Sequence, residues 1–198
     1  MQVELLFPSA ILRGSAPEFL NAAKVVSQEY IARVNPNCWN VCQSEAMFDV
    51  RLDGLLEIIS RSSFEMLSEQ GYDMTNAQTS VTQFWAQEFT KHGQHMEHVH
   101  SLGAQVTGFY FVEVPKDSAY PVVFDPRPGK KQISLPQTDQ SQVTFASEQI
   151  VMAVQPGDLI LMNAWLPHGF TRHESNSKMQ FIHFTVSVEH RAPQVEII

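Results

Sequence analysis

Gln94-His95-Met96-Glu97-His98-Val99-His100 places three of the chain's eight histidines and one carboxylate within seven residues. A further histidine, His168, comes much later, just after Pro156-Gly157-Asp158-Leu159-Ile160-Leu161. A dense His/Glu cluster with one distant histidine is the pattern of a metal site in a β-rich fold, where ligands come from strands far apart in sequence. On a strand, residues two apart share a face. His98 and His100 therefore form one ligand pair and His95 and Glu97 another, on opposite faces, and a single regular strand uses only one. His168 would be the third ligand in either case. Three protein ligands with open positions make a reactive centre. Imidazole suits Fe, Zn, Cu and Ni alike, so spacing does not choose the metal.

Outward from the cluster, short runs rich in Val, Phe, Tyr and Ile alternate with Pro, Gly, Asp and Ser. They cover 80–90, 104–114, 120–124, 142–145, 149–154, 158–163, 166–172 and 178–188. Many short strands with turn signals between them predict a sandwich or barrel. Residues 125–131, Asp-Pro-Arg-Pro-Gly-Lys-Lys, read as a loop. Before residue 79 the pattern is mainly helical. An opening strand over 3–12 is followed by a helix starting at Ser15, which is placed to cap it, with Glu18 at the capping-box position. Phe19, Ala23, Val26, Tyr30 and Val34 mark its buried face, and Asn35-Pro36-Asn37 stops it. A second helix spans about 54–70, with Asp53 as N-cap and Gly71 just past its end. Residues 38–52 are ambiguous. The expectation is one α+β unit over 1–198, mostly β, with residues 1–78 bracing a barrel over 79–190.

Composition narrows the function classes. Hydrophobic residues are 43% and charged residues 17%, which suits a folded core and excludes a disordered chain. A net charge of -8 argues against binding a phosphate backbone as the main task. No apolar run approaches a membrane span, and Met1-Gln2-Val3-Glu4-Leu5 does not read as a basic-then-apolar signal peptide. A cytoplasmic protein is expected, with Cys38 and Cys42 as reduced thiols. His92, His173, His183 and His190 read as ordinary surface or hydrogen-bonded core residues.

The motif order over residues 80–188 resembles the 2-oxoglutarate–Fe(II) oxygenases with a double-stranded β-helix (jelly-roll) core, in particular a small bacterial and phage subgroup. The likeness rests on Trp85, Gly93, His98-Val99-His100, Thr107-Gly108-Phe109-Tyr110-Phe111, Asp125-Pro126-Arg127, Pro156-Gly157-Asp158, Trp165-Leu166-Pro167-His168 and Lys178. The resemblance implies that His98, His100 and His168 bind Fe(II). It implies that Lys178, ten residues after His168, pairs with the far carboxylate of the co-substrate 2-oxoglutarate. The implied reaction couples oxidative decarboxylation of 2-oxoglutarate by O2 to oxidation, usually hydroxylation, of a second substrate, either a small molecule or a protein side chain. The broad superfamily usually has a carboxylate two residues after its first histidine, whereas this chain has His100, as in the subgroup.

If 166–172 and 178–186 form a hairpin centred near Ser175, then Arg172 faces Lys178 and His168 faces Ile182. His168, Lys178 and Arg172 would then share one cavity, with Arg172 the rival anchor because its fork suits a carboxylate. Thr107 and Tyr110, an odd number apart, face opposite ways, and one of them, with Tyr110 the candidate, could bind the co-substrate. Asp125 and Arg127 could contact substrate. Two other functions fit the same residues: a cupin-like three-histidine enzyme that uses no 2-oxoglutarate, and a non-catalytic jelly-roll binding module. The N-terminal helices could present a homodimer surface.

Overall fold

The structure is a computed structural model that describes the chain except residues 1, 3, 5, 35–37, 48, 134 and 191–198. Among the described residues, nine strands form two facing antiparallel sheets. The large sheet has the order β1 (Ile11–Ser15), β7 (Asp158–Asn163), β4 (Ala104–Glu113), β9 (Met179–His190), β3 (Ala77–Phe89) and β2 (Val41–Glu45). The small sheet has the order β6 (Gln149–Val151), β5 (Pro121–Phe124) and β8 (His168–Phe170). This is the expected jelly-roll core. Helices α1 (Leu20–Val34) and α2 (Asp53–Glu69) cover the outer face of the large sheet.

Strand alternation sorts the large sheet into two faces. On the outer face, Phe84, Val106, Tyr110, Ile182 and Phe184 pack with Ala23, Val26, Leu55 and Ile59 of the helices. On the inner face, Phe89, Phe109, Phe111 and Phe181 pack with Phe170 of the small sheet. Phe170 and Phe181 stack at 4.8 Å, and phenylalanines fill the space between the sheets up against the histidines. Gly108 is required on β4, because a Cβ there would meet the backbone of Ile160 and the ring of Phe184.

Several expectations are corrected. The ambiguous stretch 38–52 holds β2, and β1 lies at Ile11–Ser15, so the N-terminal part supplies both edges of the large sheet. Residues 142–145 form turns, not a strand. Ser15 does not cap the first helix; its hydroxyl donates to the Gly157 carbonyl. Asp53 does not cap α2. Asp49 instead caps the short 3-10 turn Val50–Leu52, accepting from the Arg51 amide at 3.1 Å. Gly71 does end α2, at φ +89. The predicted helix stop at 35–37 lies outside the described residues. Cys38 and Cys42 lie side by side with Cα atoms 5.2 Å apart. The predicted hairpin between 166–172 and 178–186 does not form. β8 pairs with β5, whereas β9 pairs with β3 and β4, so the chain changes sheet between them.

Candidate metal centre

The segment 93–98 has no regular strand geometry but runs alongside β8, joined to it by backbone hydrogen bonds and one bridge at His98. The His98 amide donates to the His168 carbonyl at 2.9 Å, and the His168 amide returns the bond at 3.0 Å. Phe170 N–H donates to His95 and His173 N–H to Gly93. Two ligand candidates far apart in sequence are thus tied through their own backbones. Gly169 permits this approach, because a Cβ there would lie 2.6 Å from the His95 carbonyl oxygen. The His100 amide is fixed in turn by the Ala164 carbonyl at 2.9 Å.

The three rings converge. One ligand nitrogen each from His98, His100 and His168 lies within 4.8 Å of the others. The Nδ1 atoms of His98 and His168 sit 2.8 Å from the carbonyls of Met96 and Leu166. A carbonyl only accepts, so both Nδ1 atoms carry the proton and both Nε2 lone pairs are left for a metal. The Nε2 atoms of His100 and His168 are buried without a hydrogen-bond partner. Burial pushes both imidazoles down to about 4, helped by the neighbouring rings. They are therefore neutral near pH 7, the form that binds metal. Buried, unpartnered, neutral imidazoles aimed at one point fit a ferrous ion. Buried polar atoms are otherwise rarely left unpaired.

The rival pair does not assemble. His95 stacks on Phe89 at 5.1 Å, and Glu97 is not part of the triad. The segment is too irregular for strand parity to hold, so His95 also turns inward, its ring 6.0 Å from that of His98.

The proposed co-substrate residues lie elsewhere. Lys178 is on the outer side of the large sheet, where its Nζ meets Glu88 at 2.8 Å. Glu88 is buried and also accepts from Gln180 at 2.8 Å. Lys178 thus neutralises a buried carboxylate on the face opposite the histidines. Arg172 is half exposed and engages His92 and Glu174. Tyr110 is fully buried on the outer face, its hydroxyl donating to the Ala16 carbonyl at 2.8 Å. Of the pair on β4, Thr107 faces inward, 3.1 Å from the Nε2 of His183. Asp125 and Arg127 pair with each other at 2.6 Å.

Two inner-face residues escaped the sequence reading. His183 is buried 4.9 Å from the His100 ring and stacks on Phe109. Burial holds it well below the usual histidine range. The alternation Phe181-x-His183-x-Thr185 would have put it indoors. The second is Gln87, between Trp85 and Phe89 on β3 and 2% exposed. A cleft of about 700 Å³ is lined by Phe7, Arg127, Phe145, Val123 and Leu166 among others. Val123 is the strand partner of His168, and Leu166 holds its Nδ1.

With this geometry in view, comparison with protein families matches residues 83–184 to the family described as "Putative 2OG-Fe(II) oxygenase". That is just over half of the chain and includes all three histidines. The chain belongs to the 2OG-Fe(II) oxygenase family. Its cofactors are Fe(II) and 2-oxoglutarate.

Solved structures agree on the fold of this oxygenase. A Pseudomonas putida prolyl-4-hydroxylase is 8% identical with a TM-score of 0.60, covering 93% of this chain and 94% of that one. AviO1 from Streptomyces viridochromogenes Tue57 is 13% identical with a TM-score of 0.64, covering 93% and 92%. HygX from Streptomyces hygroscopicus, solved with nickel and 2-oxoglutarate bound, is 11% identical with a TM-score of 0.57, covering 90% and 83%. Comparison with curated proteins returned no match. Among the described residues, no helix is long and apolar enough to cross a membrane.

Proposed function

We propose that this oxygenase is a dioxygenase that hydroxylates a small molecule or a protein side chain, with His98, His100 and His168 as its iron ligands. The observation that carries this reading is the convergence of the three rings, two of them presenting buried Nε2 atoms that nothing else satisfies. When bound, Fe(II) and 2-oxoglutarate supply the oxidising power, with O2 converting 2-oxoglutarate to succinate and CO2 as the second substrate is oxidised.

The chain's own residues have three tasks. Met96 and Leu166 carbonyls hold the rings of His98 and His168 in the metal-binding tautomer. The phenylalanines between the sheets exclude water from one side of the centre. The cleft beside Val123 and Leu166 offers a substrate an approach, and its volume is in the range for small ligands. Its exposed Leu6, Phe7, Val143 and Phe145 favour a substrate with an apolar body.

The test is succinate formation by Fe(II)-loaded protein given 2-oxoglutarate, ascorbate and O2, compared with His168→Ala. Uncoupled succinate in wild type, absent from the variant, is expected. Metal binding without any interaction with 2-oxoglutarate would favour a three-histidine enzyme of other chemistry. Failure to take up metal under anaerobic loading would leave only a binding module.

A further inference from the structure

The three proposed ligands are not held alike. The Nδ1 atoms of His98 and His168 each donate to a backbone carbonyl, of Met96 and of Leu166, at 2.8 Å. The main chain of His100 is fixed by the Ala164 carbonyl at 2.9 Å. Among the described residues, however, no backbone carbonyl clamps the His100 ring as the other two rings are clamped. Its Nε2 is the buried atom without a partner, so Nδ1 carries the proton when Nε2 meets a metal.

What stands beside His100 is a fourth imidazole. The ring of His183, on β9, is centred 4.9 Å from that of His100 with 60° between the planes. It is 4% exposed. Its tautomer is fixed by Thr107. The Thr107 hydroxyl donates its one proton to the Phe184 carbonyl at 3.0 Å. Toward the Nε2 of His183, at 3.1 Å, the same oxygen can then only accept. The His183 proton is therefore on Nε2, and Nδ1 is left as a bare acceptor. The ring plane is fixed too, stacked on Phe109 at 4.9 Å with 28° between the planes. A buried imidazole next to a metal cation stays neutral, so the assignment holds with metal bound.

We propose that His183 is a positioning residue, whose Nδ1 receives the Nδ1–H of His100 and so does for the third ligand what the Met96 and Leu166 carbonyls do for the other two. The inference rests on the ligand set proposed above. Each donor then faces one acceptor: His100 to His183, His183 to Thr107, Thr107 to the Phe184 carbonyl. At this ring separation the two nitrogens meet directly or across one water. Because the acceptor is an uncharged ring, it orients His100 without the negative charge that a carboxylate in its place would bring to the centre. A packing role alone would ask only for a ring of this size, which phenylalanine supplies.

The test is proton NMR of Co(II)-loaded protein, with Co(II) affinity measured alongside. A paramagnetic ion moves the ring N–H signals of its ligands out of the normal range, and each is lost when it exchanges rapidly with water. Wild type is expected to show three. His183→Phe keeps the bulk and removes the acceptor. It should lose one signal and weaken Co(II) about tenfold, a typical cost of removing the partner of a metal-bound histidine. His183→Asn, whose side-chain carbonyl stands close to the Nδ1 position, should restore the signal and bring affinity to within about threefold of wild type. Thr107→Val frees the tautomer and should fall between, whereas Thr107→Ser should match wild type. Metal-free thermal unfolding checks that each variant folds, and if His183→Phe does not, the two Thr107 variants decide. Three signals retained in His183→Phe with Co(II) affinity unchanged would overturn the proposal. So would a loss of affinity that His183→Asn leaves unrepaired while all three signals persist, since that is packing. Absence of Co(II) binding by wild type would overturn the ligand set itself, and the positioning role with it.

Discussion

At the scale of single residues, position in sequence and position in space part company most sharply at Lys178. Ten residues after His168 it has the right type and spacing for an anchor, yet it neutralises Glu88 on the outer face. Lys178→Ala should therefore lower stability by about 1–2 kcal/mol, less than for a fully buried pair because the lysine is half exposed. Chemical denaturation would measure the loss, and Lys178→Ala combined with Glu88→Gln should recover part of it. If Lys178 had no structural partner, the single variant would be neutral. Gly169 is the opposite case, a residue with no side chain on which the site depends. Gly169→Ala would force its Cβ against the His95 and Met96 carbonyls. It should push the 93–98 segment off β8 and weaken metal affinity about tenfold or more, roughly the energy of one strained backbone contact. An unchanged metal Kd in that variant would show that the segment has slack.

Among the elements, the strands were legible wherever a run of β-branched and aromatic residues was bounded by turn residues, as in β3, β4, β7 and β9. β2 was not, because Val-Cys-Gln-Ser-Glu is half exposed and carries little apolar signal. The mistaken hairpin has a related cause. Residues 171–178 look like a turn, and nothing local reveals that β8 belongs to the other sheet. That error misplaced Lys178 and Arg172, whereas the grouping of His98, His100 and His168 does not depend on the hairpin. Helix ends were misread for a local reason. Asp53 has the right chemistry for a cap, but Asp49 is the residue that bonds the Arg51 amide and, with Arg51, reaches Glu29 of α1. The Arg51 guanidinium holds the Asp49 carboxyl at about 2. A carboxyl depressed in the folded state contributes stability above its unfolded value near 4. That contribution is lost as pH falls from about 4 toward 2. Asp49→Ala should cost about 1 kcal/mol at pH 7. The gap between variant and wild type should close as unfolding is measured at successively lower pH through that window.

For the whole molecule, the site is a joint between chain segments rather than a property of one. His98 and His100 lie on the irregular 93–98 segment and just beyond it, His168 on β8, and the His100 backbone is pinned beside β7 through Ala164. Any ion bound by all three rings must cross-link these parts, and it can do so only in the folded state. Binding to the folded form alone stabilises by mass action, about 2.7 kcal/mol at a hundredfold excess of free metal over Kd. Adding Ni(II) or anaerobic Fe(II) to metal-free protein should therefore raise Tm, and a chelator should reverse the shift. His98→Ala, His100→Ala and His168→Ala should each abolish most of the metal-dependent shift, measured against each variant's own metal-free Tm, which falls for His168→Ala because its buried ring also donates to the Leu166 carbonyl. His95→Phe should keep the shift, because His95 lies outside the triad. A shift that persists in His98→Ala and His100→Ala but disappears in His95→Phe would mean that the metal is held by the His95 and Glu97 pair, and that the convergence of the three rings serves packing alone.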